Sequence, residues 1–76
     1  MVQLKYVRLR ERDTIVIFPP TLQHSQFQYF DPVSAGFCYI HNGLVECFGT
    51  SVSLNLEADP LDSKRATLQF FNLQTT

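Results

Sequence analysis

Few residues in this 76-residue chain have the types and spacing that chemistry needs. Cys38 and Cys47 are one such pair. If Asn42-Gly43 forms a two-residue hairpin loop, these cysteines lie directly opposite each other on adjacent strands. At a non-hydrogen-bonded pair the Cα separation is about 4.5 Å, which just admits a disulfide. The expected state is two reduced thiols packed as small hydrophobes, because Val2 to Arg12 alternates and carries charge where an export signal would be apolar. With no C-x-x-C and no His at a zinc-finger offset, the cysteines make a poor metal signature.

His41 and Glu46 share a face and lie diagonally across the same hairpin. The carboxylate could orient the imidazole, as a base or a metal ligand requires, with His24 as a third member from another strand. A solvent-exposed hairpin tip with an incidental polar pair is the simpler reading. There is no G-x-S-x-G elbow, no Gly-rich phosphate loop with Lys and no H-E-x-x-H. A domain this small also has little volume from which to build a water-excluding pocket. The expectation is no catalysis, no cofactor and no metal.

Charge sorts the remaining functions. Every Lys and Arg lies in Lys5, Arg8, Arg10 and Arg12 or in Lys64 and Arg65, and the stretch from Asp13 to Ser63 carries none. That middle holds Glu46, Glu57, Asp59 and Asp62, so it offers phosphates no partner. Phe27, Tyr29, Phe37 and Tyr39 could stack bases, with Arg8, Arg10 and Arg12 on the phosphates. A net charge of −1 and a pI near 6.0 argue against that. The basic stripe Arg8, Arg10 and Arg12 suits instead an interface with the acidic region around Glu57 of a second copy, or a charged strand edge that resists indiscriminate pairing.

The chain is 45% hydrophobic and contains seven Phe and three Tyr, which is apolar for a domain with so much surface relative to volume. Some of that surface is expected to meet another chain. The reading that follows is a small homo-oligomeric binding or assembly module for a protein or small-molecule ligand, using Phe27, Gln28, Tyr29, Tyr39, His41 and Glu46. The alternatives are a single-stranded nucleic-acid binder and a small metal-assisted or acid–base enzyme at His24, His41 and Glu46. No apolar run is long enough to cross a bilayer, and the expected address is cytoplasmic.

The elements that must position these residues read as one domain, residues 1–76, of all-β class: six or seven short antiparallel strands in meander order. These form a small barrel or a sheet covered by a partner. Leu4 to Arg10 alternates, with Tyr6, Arg8 and Arg10 on one face, so that one face is wet and the other mostly buried. Thr14 to Phe18 is β-branched and apolar on both faces, the best candidate for a central strand. Leu22 to Phe30 reads as a third strand, and Asp31 to Gly36 as the turn that follows it. Phe37 to Phe48 is a hairpin around Asn42-Gly43. Its register puts Cys38, Ile40, Val45 and Cys47 on the core face. Ser51 to Glu57 alternates as a strand with Val52, Leu54 and Leu56 inward. Asp59-Pro60-Leu61-Asp62 resembles a helix start, but the residues beyond it form no single apolar stripe and alternate as Ala66, Leu68 and Phe70. A final strand is preferred there, and α+β with a C-terminal helix after Asp59 is the alternative.

Overall fold

A computed structural model of the chain describes residues 2–71. It is mostly strand with one C-terminal helix. β1 (Leu4–Leu9), β2 (Ile15–Phe18), β3 (Pro32–His41) and β4 (Leu44–Phe48) form an antiparallel sheet in the order β2-β1-β3-β4. β5 (Thr50–Ser51) and β6 (Leu56–Glu57) form a second, two-stranded sheet, and α1 (Asp62–Phe71) ends the described chain. The sheet does not close into a barrel.

The hairpin forms as its sequence predicts. Cys38 pairs with Cys47, Ile40 with Val45 and Tyr39 with Glu46. Asn42 and Gly43 take φ values of 50° and 74°, the positive angles a two-residue turn requires. Cys38 and Val45 are buried, whereas Ile40, near the tip, is 38% exposed.

Other expectations are corrected. The sheet is not a simple meander, because β3 pairs with β1 and β2 is left at the edge. Leu22 to Phe30 is not a strand: His24–Phe30 is a 3-10 segment, and its three-residue turn stacks His24, Phe27 and Phe30 along one side. The chain reverses at Asp31 alone, with φ 59°, and β3 already runs from Pro32, so Val33 to Gly36 are strand and not turn. Ser51 to Glu57 breaks at a turn, where Asn55 donates its N–H to Val52 O at 3.1 Å with a left-handed φ of 55°. Val52 is thereby turned outward, 89% exposed, while Leu54 and Leu56 still pack inward. The favoured final strand is the helix α1.

Both faces of the sheet are covered. On one, Tyr6, Ile15, Cys38 and Val45 pack with Ala66 of α1. On the other, Val7, Phe18 and Ala35 meet Phe27 of the 3-10 segment and Leu54 and Leu56 of the second sheet. β1 therefore has no wet face at its centre: Tyr6 and Val7, on opposite faces, are both fully buried.

The helix also seals the edges of the sheet. Leu9 N–H bonds Thr14 O at 2.8 Å, so by alternation Ile15 turns its N–H and C=O away from β1. The Gln69 carboxamide meets both, accepting from Ile15 N–H at 2.9 Å and donating to Ile15 O at 2.8 Å. On the opposite edge Thr67 Oγ1 accepts from Val45 N–H at 2.9 Å, and Ser63 Oγ accepts from Cys47 N–H at 2.8 Å. Thr67 and Gln69 lie about 3 Å apart along the helix axis. They reach strands that a flat four-stranded sheet would hold about 14 Å apart. The sheet therefore curls around α1, and the helix occupies the gap between β4 and β2.

Candidate functional site

The strongest polar cluster is built on Asp62, the first residue of α1, whose side chain is wholly buried. Helix initiation brings it there. Asp59 Oδ1 accepts from Leu61 N–H at 2.8 Å, and Asp62 Oδ2 accepts in return from Asp59 N–H at 3.1 Å, a reciprocal cap across three residues. The sheet supplies the other donors. Tyr6 Oη and Ser34 Oγ each donate to Asp62 Oδ2 at 2.6 Å, from β1 and β3. Arg8 Nε and Arg65 Nη1 each approach Asp62 Oδ1 to 2.9 Å.

The electrostatics follow from these contacts. Burial pushes the Asp62 carboxyl up, but the hydrogen bonds from Ser34, Tyr6, Asp59 and Arg65 outweigh it and leave the group below the usual carboxylate value. Tyr6 is driven far up from its ordinary value, first by burial and then by the Asp62 carboxylate it bonds. Both oxygens of Asp62 are thus held by the protein's own donors. Chemically the cluster fixes helix to sheet and leaves no lone pair directed at a ligand.

The second cluster lies at the hairpin. His41 Nε2 bonds Glu46 Oε1, joining the two residues the sequence paired. Between this hairpin and α1 runs an open groove of about 460 Å³, with Leu44, Val45 and Glu46 on one wall and Lys64, Thr67 and Leu68 on the other. Ser63 and Thr67, two hydroxyls on the helix wall, are engaged with the β4 edge. The lining is mostly apolar and carries opposite charges on its two walls.

His24 does not join this pair. It is buried between Phe18 and Phe37, edge-on to each at 5.5 Å, and its Nε2 lies 2.8 Å from Gly36 O. The Phe37, Phe48 and Tyr39 rings continue the row toward the hairpin, with Tyr39 stacked on Phe48 at 5.2 Å. Among the described residues, no three His, Cys, Asp or Glu side chains come together as a metal would require. Cys38 and Cys47 are free thiols, and burial raises them to about 11 and about 12.

The remaining candidates are dispersed. Phe27 packs on Phe18 at 4.4 Å, whereas Gln28 is exposed and Tyr29 is 89% exposed on the outer side of the 3-10 segment. The basic stripe does not stand free. Arg8 is only 11% exposed and pairs with Asp13 as well as Asp62, because the β1 face expected to be wet lies under α1. Arg10 pairs with Asp31 at 2.8 Å, Arg12 is exposed in the tight turn before β2, and Glu57 is exposed on β6.

Sequence reasoning missed Asp62, Tyr6, Ser34 and Arg65 as a unit, and Leu44, Lys64 and Leu68 as a groove. The usable signal was Asp59-x-x-Asp62, a reciprocal cap spelled in the sequence. The chain matches no family model, no curated protein and no solved structure.

Proposed function

We propose that this protein is a small assembly module that associates with itself through the outward side of α1 and the adjoining groove, without chemistry of its own. One observation carries the reading: α1 is amphipathic in reverse. Its buried positions are Asp62 and Ala66, flanked by Ser63, Thr67 and Gln69 on the strand edges. The large apolar side chains on the side opposite Ala66 point away from the core: Leu61, just before the helix, is 56% exposed, Leu68 53% and Phe71 38%. A helix of a lone small domain buries its apolar stripe and wets its polar one. The reverse arrangement fits a helix whose outer side meets a second chain.

The polar clusters support the same reading. The Asp62 carboxylate is occupied by five donors from within the fold, and the His41–Glu46 pair faces hydroxyls already bonded to β4. Against the oligonucleotide reading, Arg8 and Arg10 already pair with carboxylates. The test is sedimentation equilibrium from low micromolar to near-millimolar concentration. Mass rising to a fixed multiple of 8.8 kDa is expected, and a monomer across the whole range removes the reading.

A further inference from the structure

Resting on that self-association, we infer that the contact is two-fold, with α1 of one copy lying in the groove of the other and Lys64 of each copy against Glu46 of its mate. The spacing along α1 makes the first half of the case. Leu61, Lys64, Leu68 and Phe71 follow one another at intervals of three, four and three, so they share one outward stripe. The N–H of Arg65 bonds Leu61 O at 3.0 Å, so Leu61 is already wound into the first helical turn and belongs to that stripe.

Charge selects the occupant. The stripe is apolar except at Lys64, which is exposed and forms no ion pair with any described residue. A lysine in the middle of an apolar contact needs a carboxylate on the facing surface. The groove beside it provides one: Glu46 stands on the hairpin wall, its Oε1 bonded by His41 and its Oε2 met by no described residue, and Lys64 stands on the helix wall. A surface with one cation and one anion on opposite walls of an apolar trough is complementary to itself under a two-fold rotation, which carries Lys64 onto the second copy's Glu46 and its own Glu46 onto the second Lys64. Two antiparallel α1 helices would bring both Lys64 ammonium groups near the axis, where each is repelled by the other. Reaching across to Glu46 relieves that repulsion and fixes the register. Leu68 and Leu44, 53% and 51% exposed, supply the apolar contact on either side.

The test is the association constant from sedimentation equilibrium for the wild type and five variants, each checked for native circular dichroism. Lys64→Glu and Glu46→Lys are each expected to weaken association at least tenfold, and the double variant to return it to within a few-fold of wild type. Leu68→Glu should abolish it, and Tyr29→Ala, on the far 3-10 segment, should leave it unchanged. All the altered side chains are exposed, so the fold is retained. A wild type that self-associates while the Lys64, Glu46 and Leu68 variants leave the constant unmoved overturns this inference alone. Single variants that weaken association without rescue by the double variant overturn the two-fold pairing. A wild type that stays monomeric, with the groove binding an apolar dye or a different protein instead, overturns both this inference and the self-association beneath it.

Discussion

Tyr6 donates its phenolic hydroxyl to the Asp62 carboxylate at 2.6 Å across 56 positions of sequence, and both side chains are wholly buried. This bond ties the centre of the sheet to the first turn of the helix. A buried charge is tolerated only while its partners remain, so the cluster is expected to be far more sensitive to losing its carboxylate than to losing one donor. Asp62→Asn removes the charge facing Arg8 and Arg65, and is expected to cost about 3–5 kcal/mol. Tyr6→Phe leaves four donors on the carboxylate and is expected to cost about 1–3 kcal/mol. Urea midpoints measure both, and an Asp62→Asn midpoint at or above that of Tyr6→Phe would contradict the assignment.

The same carboxylate predicts a pH dependence. Asp62 is held below its ordinary value of 3.8 in the folded protein, so the unfolded chain binds the proton more readily. Its contribution to stability is therefore complete above the ordinary carboxylate range. It is lost as pH falls below about 4 toward the depressed folded value. The unfolding midpoint of wild type is expected to fall through this window, and the fall to be shallower in Asp62→Asn. Parallel acid limbs in the two proteins would place the linkage on other carboxylates.

What the sequence disclosed and what it hid divide along local and distant information. The β3–β4 hairpin was legible to the residue because Asn42-Gly43 dictates its turn and the turn dictates the register. The 3-10 segment was written in the sequence twice. Gln26, Phe27, Gln28, Tyr29 and Phe30 alternate as a strand would, while His24, Phe27 and Phe30 repeat every third position, and packing of His24 and Phe27 on Phe18 decides for the latter. The helix is hidden in the local pattern because its core side is Asp62 and Ala66, while Leu61 and Leu68 lie on the opposite side, so no inward apolar stripe announces it. Thr14 to Phe18 looked central because it is apolar on both faces. It lies at the edge, where Gln69 covers its exposed backbone, a relationship 54 residues long that no local pattern announces. The same distance hid Arg8 from view as a buried partner. The His41–Glu46 pair was legible because both residues belong to one hairpin; the groove beside it needed α1.

Sealing of the strand edges is testable by volume-matched substitution. Thr67→Val keeps the shape of the side chain but removes the acceptor for Val45 N–H, leaving a partly buried donor unmet at an expected cost of about 1–3 kcal/mol. Gln69→Leu strips both bonds from Ile15 and exposes a strand edge that can recruit further strands. The expected results are a lower unfolding midpoint for each variant and, for Gln69→Leu, faster thioflavin-positive aggregation on mild heating. Aggregation no faster than that of wild type would mean that the edge is protected by something other than Gln69.

Two glycines of β3 and its turn separate steric from conformational need. A Cβ on Gly36 would lie 2.3 Å from Phe48 O, a backbone atom that cannot swing aside, because the end of β4 crosses close over β3 at this point. Gly36→Ala therefore forces the strands apart. It also moves the carbonyl that His24 bonds, loosening the 3-10 segment on the other face of the sheet. Gly43 has nothing within 4 Å of its missing Cβ but a φ of +74°, so Gly43→Ala strains the turn without any clash. The expected costs are about 1–3 kcal/mol or more at Gly36 and about 1 kcal/mol at Gly43. For a domain of this size each kcal/mol corresponds to about 4–8 °C in Tm. Thermal unfolding followed by circular dichroism ranks the two directly. A Gly36→Ala protein that melts no lower than Gly43→Ala would show that β3 and the end of β4 do not approach as closely as described.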